Sequence, residues 1–175
     1  MKKGILAVSF GTSHIDTMEK TIDVLEKEFA KTFEEAVVYR AFTSNMIIKK
    51  LKRTANIKVQ TVGEALEKMA ADGIEEVIVQ PTHVINGIEN DQMKADALSF
   101  RDRFSSIVFG NPLLTTEEDN QAIVRVVADE FRDMDPDTAL VLMGHGTEHY
   151  ANTVYAALDY RFKDTGHKNI FLGTV

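Results

Sequence analysis

The chain has no cysteine. That removes disulfides, thiolate metal sites and thiol nucleophiles together, so any metal must be held by His, Asp or Glu. Tryptophan is also absent, and tyrosines number four among 175 residues, which leaves little for stacking a flavin. No apolar run approaches the roughly 18 residues that span a bilayer. The N-terminal stretch Met1 to Val8 has a basic start but only a short apolar run, leads straight into Ser9-Phe10-Gly11 and carries no convincing cleavage site, so it reads as a buried strand and not a signal peptide. The location expected by default is the cytoplasm. Positive charge is in deficit too: the net charge of −7 argues against nucleic acid as a partner. Neither a GxGxxG fingerprint nor a P-loop lysine is found, so no nucleotide is specifically indicated.

What is present is ordinary for a globular protein, with 44% hydrophobic and 27% charged residues, enough for one core and part of a second. Strand and helix patterns alternate. Residues 4–10, 36–40, 76–80 and 106–110 are short apolar runs of the kind buried in a parallel sheet. Between them lie helical spacings at about 16–33 (capped by Ser13 or Asp16), 44–54, 60–72, 88–104 and 117–133. The pattern predicts an α/β fold, a doubly wound parallel sheet with helices on both faces. Ligands of such sheets bind beyond the carboxyl ends of the strands. The loops at 9–14, 40–44, 80–89, 110–115 and 144–149 are therefore expected at one edge.

Residues 5–13 (Ile-Leu-Ala-Val-Ser-Phe-Gly-Thr-Ser) recur in pattern at 140–148 (Leu-Val-Leu-Met-Gly-His-Gly-Thr-Glu). Each copy is an apolar strand, a small residue, a ring side chain, then Gly-Thr and a helix. A first lobe over 1–135 and the start of a second, duplicated lobe at 138–175 follow from this repeat. The chain stops inside the apolar strand 169–175, so the expectation is a truncated second lobe.

His145 stands between Gly144 and Gly146, directly after an apolar strand. The glycines leave its imidazole uncovered, and a neutral imidazole binds a transition metal or accepts a proton. The alternative is a histidine packed in a tight turn. His149 shares a helix face with His145 only if the helix starts early. Ser9, Phe10, Gly11, Thr12 and Ser13 offer backbone N–H groups and hydroxyls at a helix start, a place for a carboxylate or a plain capped turn. Glu89 is either a proton acceptor or a first-turn acid favoured by the helix dipole. His83 divides evenly between site and core. Lys49, Lys50, Lys52 and Arg53, with Arg40 near in sequence, either attract a polyanion or form a solvated face. By spacing alone Met46, Ile47, Ile48 and Leu51 pack.

Four motifs, Ser9-Phe10-Gly11-Thr12-Ser13, Arg40 to Ile48, His83-Val84-Ile85-Asn86-Gly87 and Met143-Gly144-His145-Gly146, resemble in content and order the anaerobic sirohydrochlorin cobalt chelatases of cobalamin synthesis. The resemblance implies two related flavodoxin-like lobes, the fold shared with ferrochelatases. It also implies ATP-independent insertion of cobalt(II), the substrate metal, into a tetrapyrrole, with no cofactor required. His145 falls on the histidine of the family's Gly-His-Gly motif, which implies metal ligation and help with proton removal, and Glu89 on an acidic position that is a lesser candidate for the same proton traffic. The loops carrying Ser9 to Ser13, with Arg40, Phe42, Thr43, Ser44, Met46, His83, Gly87 and Gly146, are implied to bind the macrocycle. Iron or nickel in place of cobalt and a non-catalytic tetrapyrrole-binding module are the rival readings. Family members carry a further glutamate and histidine beyond this sequence, so the chain alone is expected to be inactive or nearly so. Family members also assemble, which makes a homo-oligomer an expected state.

Overall fold

The computed structural model describes residues 1–175. Two compact units result: one comprises Met1–His83 and Glu89–Pro112, the other Val84–Ile88 and Leu113–Val175. The expected lobe boundary at 135–138 differs from this division over residues 84–88 and 113–135. The helix in the latter stretch, α6 (Glu117–Glu130), carries Ile123, Val124 and Val127, and these pack with Leu158, Phe162 and Ile170 of the second unit. An apolar stripe in a sequence does not say which sheet it will cover.

The first unit is built on a four-stranded sheet of β1 (Lys3–Ser9), β2 (Ala36–Phe42), β3 (Glu76–Pro81) and β4 (Ser106–Phe109), in the order β2-β1-β3-β4. Every pair is parallel, and Leu6 of β1 faces Tyr39 on one side and Val79 on the other. The continuous apolar run of β1 reflects burial on both faces. Leu6, Val8, Val77 and Val79 pack with Val62, Ala65, Leu66 and Met69 of α4 (Val62–Ala71) and with Met93 and Ala97 of α5 (Ile88–Leu98). Alternation puts Phe42 on the other side, with Met18 of α1 (Ile15–Lys20), Ile22 of α2 (Ile22–Thr32) and Leu51 of α3 (Asn45–Ala55). Helices thus cover both faces, as the alternation of elements requires.

The single helix expected from residue 16 to 33 is broken at Thr21, whose backbone sits at φ −125° and ψ −76°. The Thr21 hydroxyl donates to the Thr17 carbonyl at 2.7 Å, the back-bonding that loosens a helix interior. Neither Ser13 nor Asp16 caps α1; His14 holds the N-cap position without a side-chain cap. The helix expected to reach Phe104 ends at Leu98, and a 3-10 turn follows at Arg101–Arg103.

The second unit pairs β5 (Leu140–Gly144) with β6 (Ile170–Thr174) in parallel. Between them run a 3-10 turn, Tyr150–Asn152, and α7 (Thr153–Asp164). One sheet face, with Leu140, Leu142, Ile170 and Leu172, packs on α6 and α7. No helix in either unit is long and apolar enough to cross a membrane.

Candidate active site

At the carboxyl end of β1 the chain turns sharply. Gly11 lies at φ +98°, where a Cβ would stand 2.4 Å from the Phe42 ring. Only glycine takes that backbone without strain and lets the turn lie on the core. Thr12 Oγ1 accepts from the His14 backbone N–H at 3.2 Å. The neighbouring strands hold the turn in place: the Thr43 N–H donates to the Ser9 carbonyl at 2.9 Å and the Ser44 N–H to the Phe10 carbonyl at 3.2 Å. From β3, the Thr82 hydroxyl donates to Ser9 Oγ at 2.8 Å.

These bonds sort the residues expected to meet the macrocycle. Ser9, Phe42 and Ser44 are buried. Ser9 joins strand ends, Phe42 fills the core, and Ser44 caps α3 by accepting from the Ile47 N–H at 3.3 Å. Gly11, Thr12, Ser13 and Thr43 are half-buried. Phe10 and Met46 project, at 48% and 72% exposure. Spacing alone had Met46 packing with Ile47, Ile48 and Leu51; instead it lies outside the core that Leu51 fills. Arg40 is engaged elsewhere, its guanidinium bonded to Glu26 and Asp23 of α2, with Nε to Glu26 at 2.7 Å. Those bonds raise its pKa above an already high value, against the opposing cost of burial.

His83 and Glu89, also in the first unit, differ in setting. Glu89 is exposed in the first turn of α5. His83 has both ring nitrogens buried with no hydrogen-bond partner. Burial holds it below the ordinary 6.5, with Glu89 pulling the other way. Gly87, in the second unit, is buried.

The second unit repeats the β1 turn almost bond for bond. Gly146 is at φ +76°, where a Cβ would meet the Val175 carbonyl at 3.0 Å and Thr174 at 3.1 Å. Thr147 Oγ1 accepts from the His149 N–H at 3.1 Å. The Val175 N–H donates to the Gly144 carbonyl at 3.3 Å, as Thr43 does to Ser9. His145 takes the place of Phe10 and is exposed. Gly144 is required by Tyr155, whose ring would lie 2.8 Å from a Cβ there.

His149 is the counterpart of His14, which sequence reasoning passed over; extending the repeat by one residue would have found it. Helix α7 begins only at Thr153, so His145 and His149 share no helix face. His149 Nδ1 accepts from the Ala151 N–H at 3.2 Å, which places the proton of a neutral ring on Nε2. That nitrogen lone pair is therefore committed, whereas the His145 imidazole takes part in no such cap. No three His, Asp or Glu side chains converge to form a metal cage.

The model of the cobalt chelatase (CbiK) family matches residues 3–175. The chain belongs to that family. It is 38% identical over 160 residues to a sirohydrochlorin cobaltochelatase of Salmonella typhimurium, a match covering 91% of this chain and 61% of the relative. A second relative, the sirohydrochlorin cobaltochelatase CbiKC of Nitratidesulfovibrio vulgaris, is 34% identical over 160 residues, covering 90% of this chain and 56% of its own length. The chain thus spans 61% and 56% of the lengths of these two curated relatives.

Proposed function

We infer that the chain takes part in inserting cobalt(II) into sirohydrochlorin, without ATP and without a resident cofactor, in the cytoplasm. The observation that carries this reading is the Gly144-His145-Gly146 turn, which presents an exposed imidazole in a chain of the cobalt chelatase family. A substrate metal must be held and then released to four pyrrole nitrogens. A single imidazole holds a divalent ion only weakly and sites of this type take about three protein ligands, so His145 is assigned as one ligand of a set and not as the whole of it.

His145 is assigned to the metal, while Phe10 and Met46 are assigned to the apolar faces of the macrocycle. Backbone N–H groups and hydroxyls at 11–13 suit its peripheral carboxylates. Glu89 is assigned to proton removal. The test is cobalt insertion into sirohydrochlorin, followed by absorption spectroscopy on this chain and on a full-length version in parallel, with macrocycle binding measured beside it; this chain alone is expected to insert little or no cobalt. His145→Ala is expected to lower insertion by at least about 100-fold while leaving macrocycle binding within about threefold. Little loss of either points to a tetrapyrrole-binding module. Parallel rates with iron and nickel identify the preferred metal.

A further inference from the structure

His83 follows the carboxyl end of β3, and neither of its ring nitrogens has a hydrogen-bond partner although both are buried. A neutral imidazole offers one donor and one acceptor. Leaving such groups buried and unmade carries a desolvation penalty, so an orphan of this kind calls for a reason. At the end of β2, Thr43 Oγ1 is likewise buried without a partner. Between these two strands, β1 ends in Ser9, whose hydroxyl is satisfied by Thr82 at 2.8 Å. The edge is therefore not polar by accident of loop sequence. Its middle group is bonded within the protein, while the groups on either side are left open.

The chemistry of His83 is that of a base held ready. Burial keeps the ring neutral at pH 7, and Glu89 is the charged group that acts on it. Glu89 is itself exposed, in the first turn of α5. A buried acceptor and an exposed carboxylate six residues further on, close enough for its charge to act on the ring, are the two ends that a route from the interior to water needs.

Resting on the chelatase reading above, we propose that His83 is the inner acceptor of the pyrrole protons and Glu89 the outlet that returns them to solvent. Insertion breaks two pyrrole N–H bonds, and each electron pair stays on its nitrogen to bind cobalt. Each proton forms a new N–H bond on neutral His83. No direct hydrogen bond joins His83 to Glu89, so the imidazolium passes the proton through a bridging water to the Glu89 carboxylate, and the carboxylic acid gives it to bulk water. Two such passages balance the two positive charges that the metal brings. A neutral, desolvated base is suited to the first step, since nothing in its surroundings ties up its lone pair. A carboxylate facing water is suited to the last.

Two measurements test this. In the first, imidazole signals of the chain are followed by ¹⁵N–¹H NMR through an acid-to-neutral titration, with His83 identified as the signal lost in His83→Asn. His83 should titrate below the ordinary histidine value of 6.5, and lower still in Glu89→Gln, because the carboxylate that favours its charged form is gone. An ordinary titration, or indifference to Glu89→Gln, overturns the pairing. In the second, cobalt insertion is compared across pH. His83→Asn should lower kcat by about 100-fold, leave KM nearly unchanged and flatten the acid limb of the profile. Glu89→Gln should lower kcat less. His83→Gln is carried alongside, so that misfolding of one variant does not decide the matter. Insertion by the full-length version that both His83 variants retain in full, with the same pH profile, overturns this inference and leaves the chelatase reading standing. Absence of insertion and of macrocycle binding in the unsubstituted full-length version overturns both.

Discussion

Two glycines show how much a single residue decides here. Gly11 combines φ +98° with a Cβ position 2.4 Å from the Phe42 ring, which is itself only 1% exposed. Gly73 has φ +76° but nothing within 4 Å of its Cβ position. The two separate backbone strain from steric conflict. Gly73→Ala should cost about 1 kcal/mol, from placing an ordinary residue in the left-handed region. Gly11→Ala adds the displacement of a core ring packed against Met18, Ile22 and Leu51, and should cost about 3–4 kcal/mol in all. Urea denaturation of the two variants reads the difference directly. Equal destabilisation would mean that the Phe42 ring moves aside freely. The same turn at Gly146 leans on the β6 terminus, so the conformation that presents His145 is fixed by the strand beside it.

At the scale of elements, α7 and β6 are tied by one carboxylate. Asp159 Oδ1 accepts from Lys163 Nζ at 2.8 Å and from the Leu172 N–H at 2.8 Å. The lysine bond and then the backbone bond hold its pKa below the ordinary 3.8. A carboxylate depressed on folding adds stability that is present in full above the unfolded-state value and is lost as pH falls through the folded one. Asp159→Asn keeps an acceptor for Leu172 but loses the charge. It should therefore be less stable than the parent by about 1 kcal/mol at pH 7, a modest figure because the group is partly solvated. In acid below the folded pKa the two should converge, and urea midpoints at both pH values check this. The elements themselves were legible in the sequence, because short apolar runs and helical spacing report local geometry. Three things were not. The break at Thr21 depends on a hydroxyl choosing a carbonyl within its own helix. The membership of α6 depends on which sheet its stripe meets. The engagement of Arg40 depends on Glu26 and Asp23, 14 and 17 residues earlier, a pairing that no local pattern announces. His145 was legible because its glycines mark it, whereas the solitude of the His83 nitrogens became visible only in three dimensions.

At the scale of the whole molecule the decisive quantity is charge. The protein carries a net −7, yet the proposed substrate is a polyanion, and a uniformly acidic surface would slow its approach. Helix α3 departs from that balance. Met46, Lys49, Lys50 and Arg53 recur at the three- and four-residue spacing of one helix face, all are exposed, and the first turn holds no acid to neutralise them. The stripe begins at Met46 beside the loop that closes the β2 end, and its cations lie further along the helix. Attraction between exposed charges acts over about 8 Å at physiological ionic strength, so the stripe should chiefly affect encounter and much less the bound state. Stopped-flow binding of uroporphyrin, a metal-free tetrapyrrole with eight carboxylates, tests this across salt concentrations. The parent should associate more slowly as salt rises. Lys49→Gln, Lys50→Gln and Arg53→Gln combined should lower the association rate by about 10-fold at low salt and flatten its salt dependence. Dissociation should change by less than about threefold. A variant that instead releases the macrocycle much faster would show that these cations hold the bound carboxylates directly, and would move α3 from the approach to the site itself.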